Sequence, residues 1–280
     1  MLYKYIYMIF SIIFIQSFYF ILKSLIYKKY YLLNKKIISK QNGKNVYKYN
    51  ISYIKKIKKV VYSVIIGDYD KIPDFSKQKG YNYFLFSDKN YKNTNWTIMH
   101  IPKLIEKMKL SKVKMTRYIK LFPHLFFKDY ELSIYIDATF IIIGDLNELL
   151  LRVLNPSFDL YFIQHPVRNK IFQEFKTILR LKKENKKIIS LVRKRYIKEN
   201  FPDNLGLTEN NIIIRRHNKK KVINLMKAWW NEIKNYSYRD QLSLSYAIWK
   251  LNMTFKIYYL PKRFMTDYLF YREHSKIVEY

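Results

Sequence analysis

The 280-residue chain has no cysteine, five glycines and seven prolines. Without cysteine there is no disulfide framework, no thiolate metal site and no cysteine nucleophile. So little glycine leaves no phosphate-cradling glycine-rich loop, and neither a serine nucleophile elbow nor a zinc motif is present. Acidic residues are also scarce, 21 against 53 Lys and Arg, for a formal net charge of +32. A charge of that size points to polyanion partners such as acidic polysaccharide, anionic lipid or nucleic acid. A compositional reading competes with it. The lysines are spread along the whole chain and accompany abundant Ile, Asn, Tyr and Phe, the codon signature of an AT-rich genome. No nucleic-acid-binding module is recognisable, so nucleic acid is not expected as a partner.

What is present begins with a charge-free run. Tyr5 to Leu22, eighteen residues, lie between Lys4 and Lys23, close to the ~20 apolar residues that span a bilayer. Tyr3, Tyr5, Tyr7, Tyr19 and Tyr27 crowd its two ends, as an interfacial belt does. No small-residue cleavage site follows, so residues 1–30 are expected to form an uncleaved single-pass membrane anchor. Lys23, Lys28, Lys29, Lys35 and Lys36 outnumber Lys4, so the positive-inside rule leans toward a cytosolic globular part. Residues 31–59 are polar and lysine-rich and read as a stem, with the globular domain over 60–280. Asn50, Asn95, Asn235 and Asn252 head Asn-x-Ser/Thr sequons, which in so Asn-rich a chain do not settle the topology.

The globular part alternates strands and helices. Val60–Ile66 is a continuous apolar run ended by Gly67, as a buried parallel strand requires. Tyr81–Phe86 is a second strand, closed by Ser87-Asp88. The spacing over 104–122 predicts a helix that stops at Pro123. Phe158–Ile163 and Asn211–Ile214 read as further strands. Residues 170–199 read as a charged helical insertion. Val222, Leu225, Met226, Trp229 and Ile233 recur at helical spacing; Trp229 and Trp230 belong to the core face of that helix. Another helix is expected over 240–251. This pattern is an α/β fold with a mainly parallel central sheet flanked by helices.

The chemistry centres on Ser133-Ile134-Tyr135-Ile136-Asp137-Ala138-Thr139, where one acidic residue interrupts a β-branched and aromatic run. A carboxylate at a buried strand is costly unless it is paired or holds a cation. In α/β sheets ligands collect at the carboxyl ends of strands. Asp137 therefore suits a metal, a ribose or a reacting sugar, or else caps the next turn.

Six features in order carry a family resemblance. They are Tyr69-Asp70, Lys120-Leu121-Phe122-Pro123-His124, Asp137, His165-Pro166-Val167-Arg168, Trp229-Trp230 and Tyr236-Ser237-Tyr238-Arg239-Asp240-Gln241. Together they resemble the glycosyltransferase-like domain of plant mucilage and turgor-related proteins, long catalogued as a domain of unknown function. The Asp137 strand with Gly144-Asp145-Leu146 is more distantly similar to family-eight, glycogenin-like glycosyltransferases. The resemblance covers about residues 60–255. It implies the A-type nucleotide-diphospho-sugar transferase fold and a membrane-anchored enzyme. Such an enzyme moves a sugar from a nucleoside diphosphate donor to a glycan or glycoprotein acceptor. Family eight implies a retaining outcome. In a eukaryotic or virus-infected eukaryotic cell the architecture implies a Golgi- or ER-type lumen, against the lysine balance at the anchor.

The resemblance also assigns roles. Asp137 matches the first Asp of the family-eight Asp-x-Asp, while Thr139 replaces the second and supplies no charge. A divalent cation, Mn²⁺ or Mg²⁺, would be held by Asp137, Thr139 and a late His, for which His274 stands at roughly the right distance. Arg117, Arg168 and Arg239 offer a metal-free way to neutralise the diphosphate. Asp240 and Gln241, beside Arg239, match the Asp-Gln pair that faces the reacting sugar. Asp70, Asp88 and His165 stand at strand ends expected to receive the donor. A different class of reading keeps the fold without the chemistry: a membrane-tethered binder of acidic glycans or anionic surfaces.

Overall fold

A run such as Lys59-Val60-Val61-Tyr62-Ser63-Val64-Ile65 is buried at every position, which only a strand covered on both faces allows. The computed structural model describes residues 51–67, 70–155, 158–203, 205–251, 257–260 and 265–273. The expected anchor and most of the stem lie outside the described residues, as does His274. Among the described residues no helix is long and apolar enough to cross a membrane. The compact unit begins at Tyr53, and Ile54 and Ile57, placed in the stem by sequence, are buried in its core.

In chain order the strands are β1 (Lys59–Ile65), β2 (Tyr81–Ser87), β3 (Thr97–His100), β4 (Leu132–Ile136), β5 (Phe140–Ile142), β6 (Leu160–Gln164), β7 (Thr208–Arg215), β8 (Ile257–Leu260) and β9 (Leu269–Tyr271). Seven of them form one sheet in the order β3-β2-β1-β4-β7-β6-β8. β1 pairs in parallel with β2 and β4, and β2 with β3. β7 runs antiparallel to both of its neighbours, β4 and β6. β5 and β9 form a separate antiparallel pair.

The helices are α1 (Lys103–Lys107), α2 (Lys112–Leu121), α3 (Pro123–Phe126), α4 (Leu146–Val153), α5 (Ile171–Arg180), α6 (Lys186–Lys198), α7 (Lys220–Asn235) and α8 (Leu244–Lys250). The helix expected over 104–122 is thus two helices. Lys109 adopts a left-handed φ of 51°, and Ser111 caps α2 by accepting from Lys114 N. The insertion over 170–199 is likewise broken, at Lys182 with φ 50°. The helix expected over 240–251 opens instead with a 3₁₀ turn, Asp240–Leu242.

Strand alternation divides the core. Val61, Ile65, Ile134 and Ile214 pack on one face with Leu149 and Leu150 of α4. Val60, Tyr62, Tyr135 and Ile213 face the other way, onto α2, α7 and α8. Each such fully buried aliphatic side chain contributes roughly 1.5–3 kcal/mol. A third cluster joins α5 and α6 to Leu242 and Tyr246.

Candidate active site

β4 ends at Ile136, and the chain turns at once: Phe140 N–H donates to the Asp137 carbonyl at 2.9 Å. Tyr135 and Asp137 are two positions apart, so their side chains lie on one side of the strand. The Tyr135 hydroxyl donates to Asp137 Oδ1. Burial, then the Asp137 charge, hold that hydroxyl well above its ordinary value, so it stays a donor. Asp137 is half-buried, and no hydrogen bond to Oδ2 is made among the described residues. Thr139 is buried beside it, and its carbonyl receives Arg272 N–H at 2.7 Å.

The last turn of α2 approaches the same face. Lys120 is 1% exposed, and its ammonium lies 5.0 Å from the Tyr135 ring centroid. It donates to Asp240 Oδ2 at 2.7 Å, while Arg117 Nε, one turn earlier, stands 3.5 Å from the same oxygen. Burial raises the Asp240 carboxyl, but Arg117 and Lys120 outweigh it and hold it well below the usual carboxylate range. Burial lowers the Lys120 ammonium, against the pull of Asp240 and Asp137. Lys120 thus pairs with Asp240 and packs on the Tyr135 ring, whose hydroxyl holds Asp137.

The frame behind this pair is polar and buried. Tyr62 Oη donates to the Lys120 carbonyl at 2.6 Å, and the Arg215 guanidinium donates to the same carbonyl. Trp229, fully buried on α7, donates from Nε1 to the Asp240 carbonyl at 3.0 Å. Arg215 is itself fully buried. Lys120 and Asp240 are therefore held by their main chains as well as by each other.

The other residues singled out in the sequence make contacts of their own. Asp88 accepts Gly67 N–H on both carboxylate oxygens at 2.9 Å, fixing the turn after β1, where Gly67 has a left-handed φ of 78°. Asp70 is half-buried. His165 and Arg168 form a knot of their own. His165 Nδ1 accepts the Val167 and Arg168 N–H groups at 3.2 and 3.0 Å. Arg168 Nε donates to the buried Glu174 at 2.6 Å. Gln241 Nε2 donates to the Thr208 carbonyl at 3.2 Å. Arg239 lies close enough to Asp240 to lower its carboxyl, and its guanidinium forms no ion pair among the described residues.

Gly144-Asp145-Leu146 is architectural. A Cβ at Gly144 would stand 2.6 Å from the Asp267 carbonyl, and Asp145 caps α4 by accepting Asn147 and Glu148 N–H. Three residues sequence reasoning did not place in the site are Lys120, Tyr135 and Arg272. A lysine between Ile119 and Leu121 was the available signal for the first. The two-residue spacing from Asp137 was the signal for the second. Arg272 had none.

Residues 31–267 match the family model of the TOD1/MUCI70, glycosyltransferase-like domain. The chain belongs to that family. It carries a glycosyltransferase-like domain spanning nearly all of the α/β unit. No curated protein matches the chain. Among solved structures it is similar to the WbbM bifunctional glycosyltransferase in its apo form, with 13% identity and a TM-score of 0.42. That match covers 73% of this chain and 39% of the other. Mouse xyloside xylosyltransferase 1, apo form, shares 9% identity at TM-score 0.41, over 71% of this chain and 84% of that one. Core-mannan synthase A from Aspergillus fumigatus, in a Mn/GDP form, shares 10% at TM-score 0.36, over 69% and 70%. The chain spans well under half the length of the first of these. At such scores these likenesses add no argument, and the family match carries the assignment.

Among the described residues no three His, Cys, Asp or Glu side chains stand together as a metal cage. Asp137, with an uncommitted oxygen, fits a hard cation that keeps its waters and takes its other ligands from donor phosphates.

Proposed function

We propose that the protein is a membrane-anchored glycosyltransferase that moves a sugar from a nucleoside diphosphate donor to a glycan or glycoprotein acceptor, with retention. The observation that carries the reading is the junction at the carboxyl end of β4, where the Lys120–Asp240 pair packs on the Tyr135 ring whose hydroxyl holds Asp137, inside a glycosyltransferase-like family domain. The donor diphosphate would lie in the crevice outside the carboxyl ends of β1 and β4. A bound Mn²⁺ or Mg²⁺, held by Asp137 with the Thr139 hydroxyl, would neutralise the leaving diphosphate. Asp240 is held below the usual carboxylate range, so it is a poor proton acceptor near neutrality. Its role is to accept hydrogen bonds from sugar hydroxyls and fix their orientation. Arg239 supplies positive charge beside it. The anchor over 5–22 rests on the charge-free run, and a lumenal location rests on the family resemblance alone, against the lysine balance beside the anchor.

A second reading, a non-catalytic binder of acidic glycans or anionic surfaces, is favoured by α6, whose thirteen residues hold six Lys and Arg and no acid. A thermal-shift and hydrolysis screen of the full chain against nucleoside diphosphate sugars, with and without Mn²⁺, separates the two. A selective shift with slow donor hydrolysis supports the transferase. A folded protein that responds to no nucleotide, but binds heparin with steep salt dependence, supports the binder.

A further inference from the structure

We propose that Arg272 is a phosphate-binding residue, holding the donor diphosphate where the second carboxylate of an Asp-x-Asp pair is absent; this rests on the glycosyl-transfer reading above. Arg272 follows β9 and reaches two segments beyond the carboxyl ends of the neighbouring strands β1 and β4. Its N–H donates to the Thr139 carbonyl at 2.7 Å. Its Nη2 donates to the Lys71 carbonyl and, at 3.3 Å, to the Ala138 carbonyl. Ala138 and Thr139 are the two residues after Asp137. Arg272 thus lies over the turn that carries the central carboxylate.

The other cations around this crevice are mostly committed. Lys120 and Arg117 face Asp240, and Arg168 faces Glu174. Arg272 has carbonyl partners only and forms no ion pair among the described residues. Its Nε is buried without a hydrogen-bond partner there. A buried, unsatisfied donor on a charged group is unfavourable, so the guanidinium stands without a full set of partners. The planar guanidinium is suited to the task, because two N–H groups can meet two phosphate oxygens at once. Thr139 brings no charge, so a cation on Asp137 alone would be weakly held and diphosphate neutralisation needs a second positive centre. Arg272 provides it without leaving its backbone anchor.

The test is isothermal titration of the full-length protein, wild type and R272Q, with UDP, GDP, UMP and GMP, with and without Mn²⁺. Glutamine keeps a polar side chain and the main-chain bond to the Thr139 carbonyl but removes the charge. Diphosphate affinity should fall about tenfold or more, as expected for a lost charge-assisted hydrogen bond, with monophosphate affinity changing far less. R272K should recover part of the loss. Equal losses for mono- and diphosphates together with a lower Tm would make Arg272 only a strap for the Asp137 turn and overturn the proposal. Unchanged diphosphate binding in R272Q overturns it alone, whereas a wild type that binds neither UDP nor GDP overturns the transferase reading with it. Phenylglyoxal labelling of wild-type Arg272 gives the same answer should R272Q not fold. UDP or GDP should slow labelling and the monophosphates should not; equal labelling rates in all of them overturn the proposal.

Discussion

Lys120 and Asp240 lie 120 positions apart in the chain, yet the ammonium stands 2.7 Å from the carboxylate with both side chains almost wholly removed from water. Removing one partner leaves the other charge buried. Lys120→Met should therefore destabilise the domain by about 3–5 kcal/mol, whereas replacing both partners with apolar residues should cost much less. Urea unfolding of the two single variants and the double variant reads the difference. If Lys120→Met matches the double variant in stability, the pair is not coupled as described.

His217 gives a pH dependence. It is 1% exposed, its Nε2 lies 2.8 Å from the Phe127 carbonyl, and its Nδ1 has no partner among the described residues. Burial lowers its pKa from 6.5 to about 4. The folded imidazole stays neutral where the unfolded one gains a proton, so stability falls as pH drops through 6.5 and levels off below about 4. The loss over that window is about 3 kcal/mol. His217→Gln should remove this part of the slope, measured as urea midpoints at pH 7 and pH 5.

Two arginines offer a contrast. Arg168→Ala strips the buried Glu174 of its partner and should cost about 1–3 kcal/mol of stability while leaving nucleotide affinity close to wild type. Arg239→Ala should do the reverse, since Arg239 has no ion pair among the described residues to lose. Melting curves and nucleoside diphosphate titrations of both variants test this. A drop in nucleotide affinity for Arg168→Ala would return that residue to the donor site.

Much of this was legible in the sequence, for identifiable reasons. β1 and the Asp137 strand stand out because strands buried on both faces must be apolar throughout. α7 stands out because Val222, Leu225, Met226, Trp229 and Ile233 keep helical period. β3, β5 and β9 are too short to show a period, and β7's antiparallel direction depends on partners distant in the chain. Arg117, Asp137 and Asp240 were legible as acids and bases out of place in apolar or helix-end settings. Asp88 and Gly144-Asp145 drew attention for the same reason, and the structure gives them turn and cap duties. Lys120 was obscured by the abundance of lysine: with 53 Lys and Arg in the chain, its place between Ile119 and Leu121 was a weak mark. Arg272 joins the site only through the return of β9 onto β5.

The measurement that bears most directly on the central claim is donor hydrolysis or transfer by Asp137→Asn against the wild type, both full-length and both shown by melting to be folded. Asp137 is half-buried and its hydrogen bond from Tyr135 survives the change, so the variant should melt close to wild type. Its turnover should fall about 100-fold or more, as loss of a precisely placed charge at the reacting centre predicts. An Asp137→Asn protein that turns over donor at the wild-type rate would contradict the account.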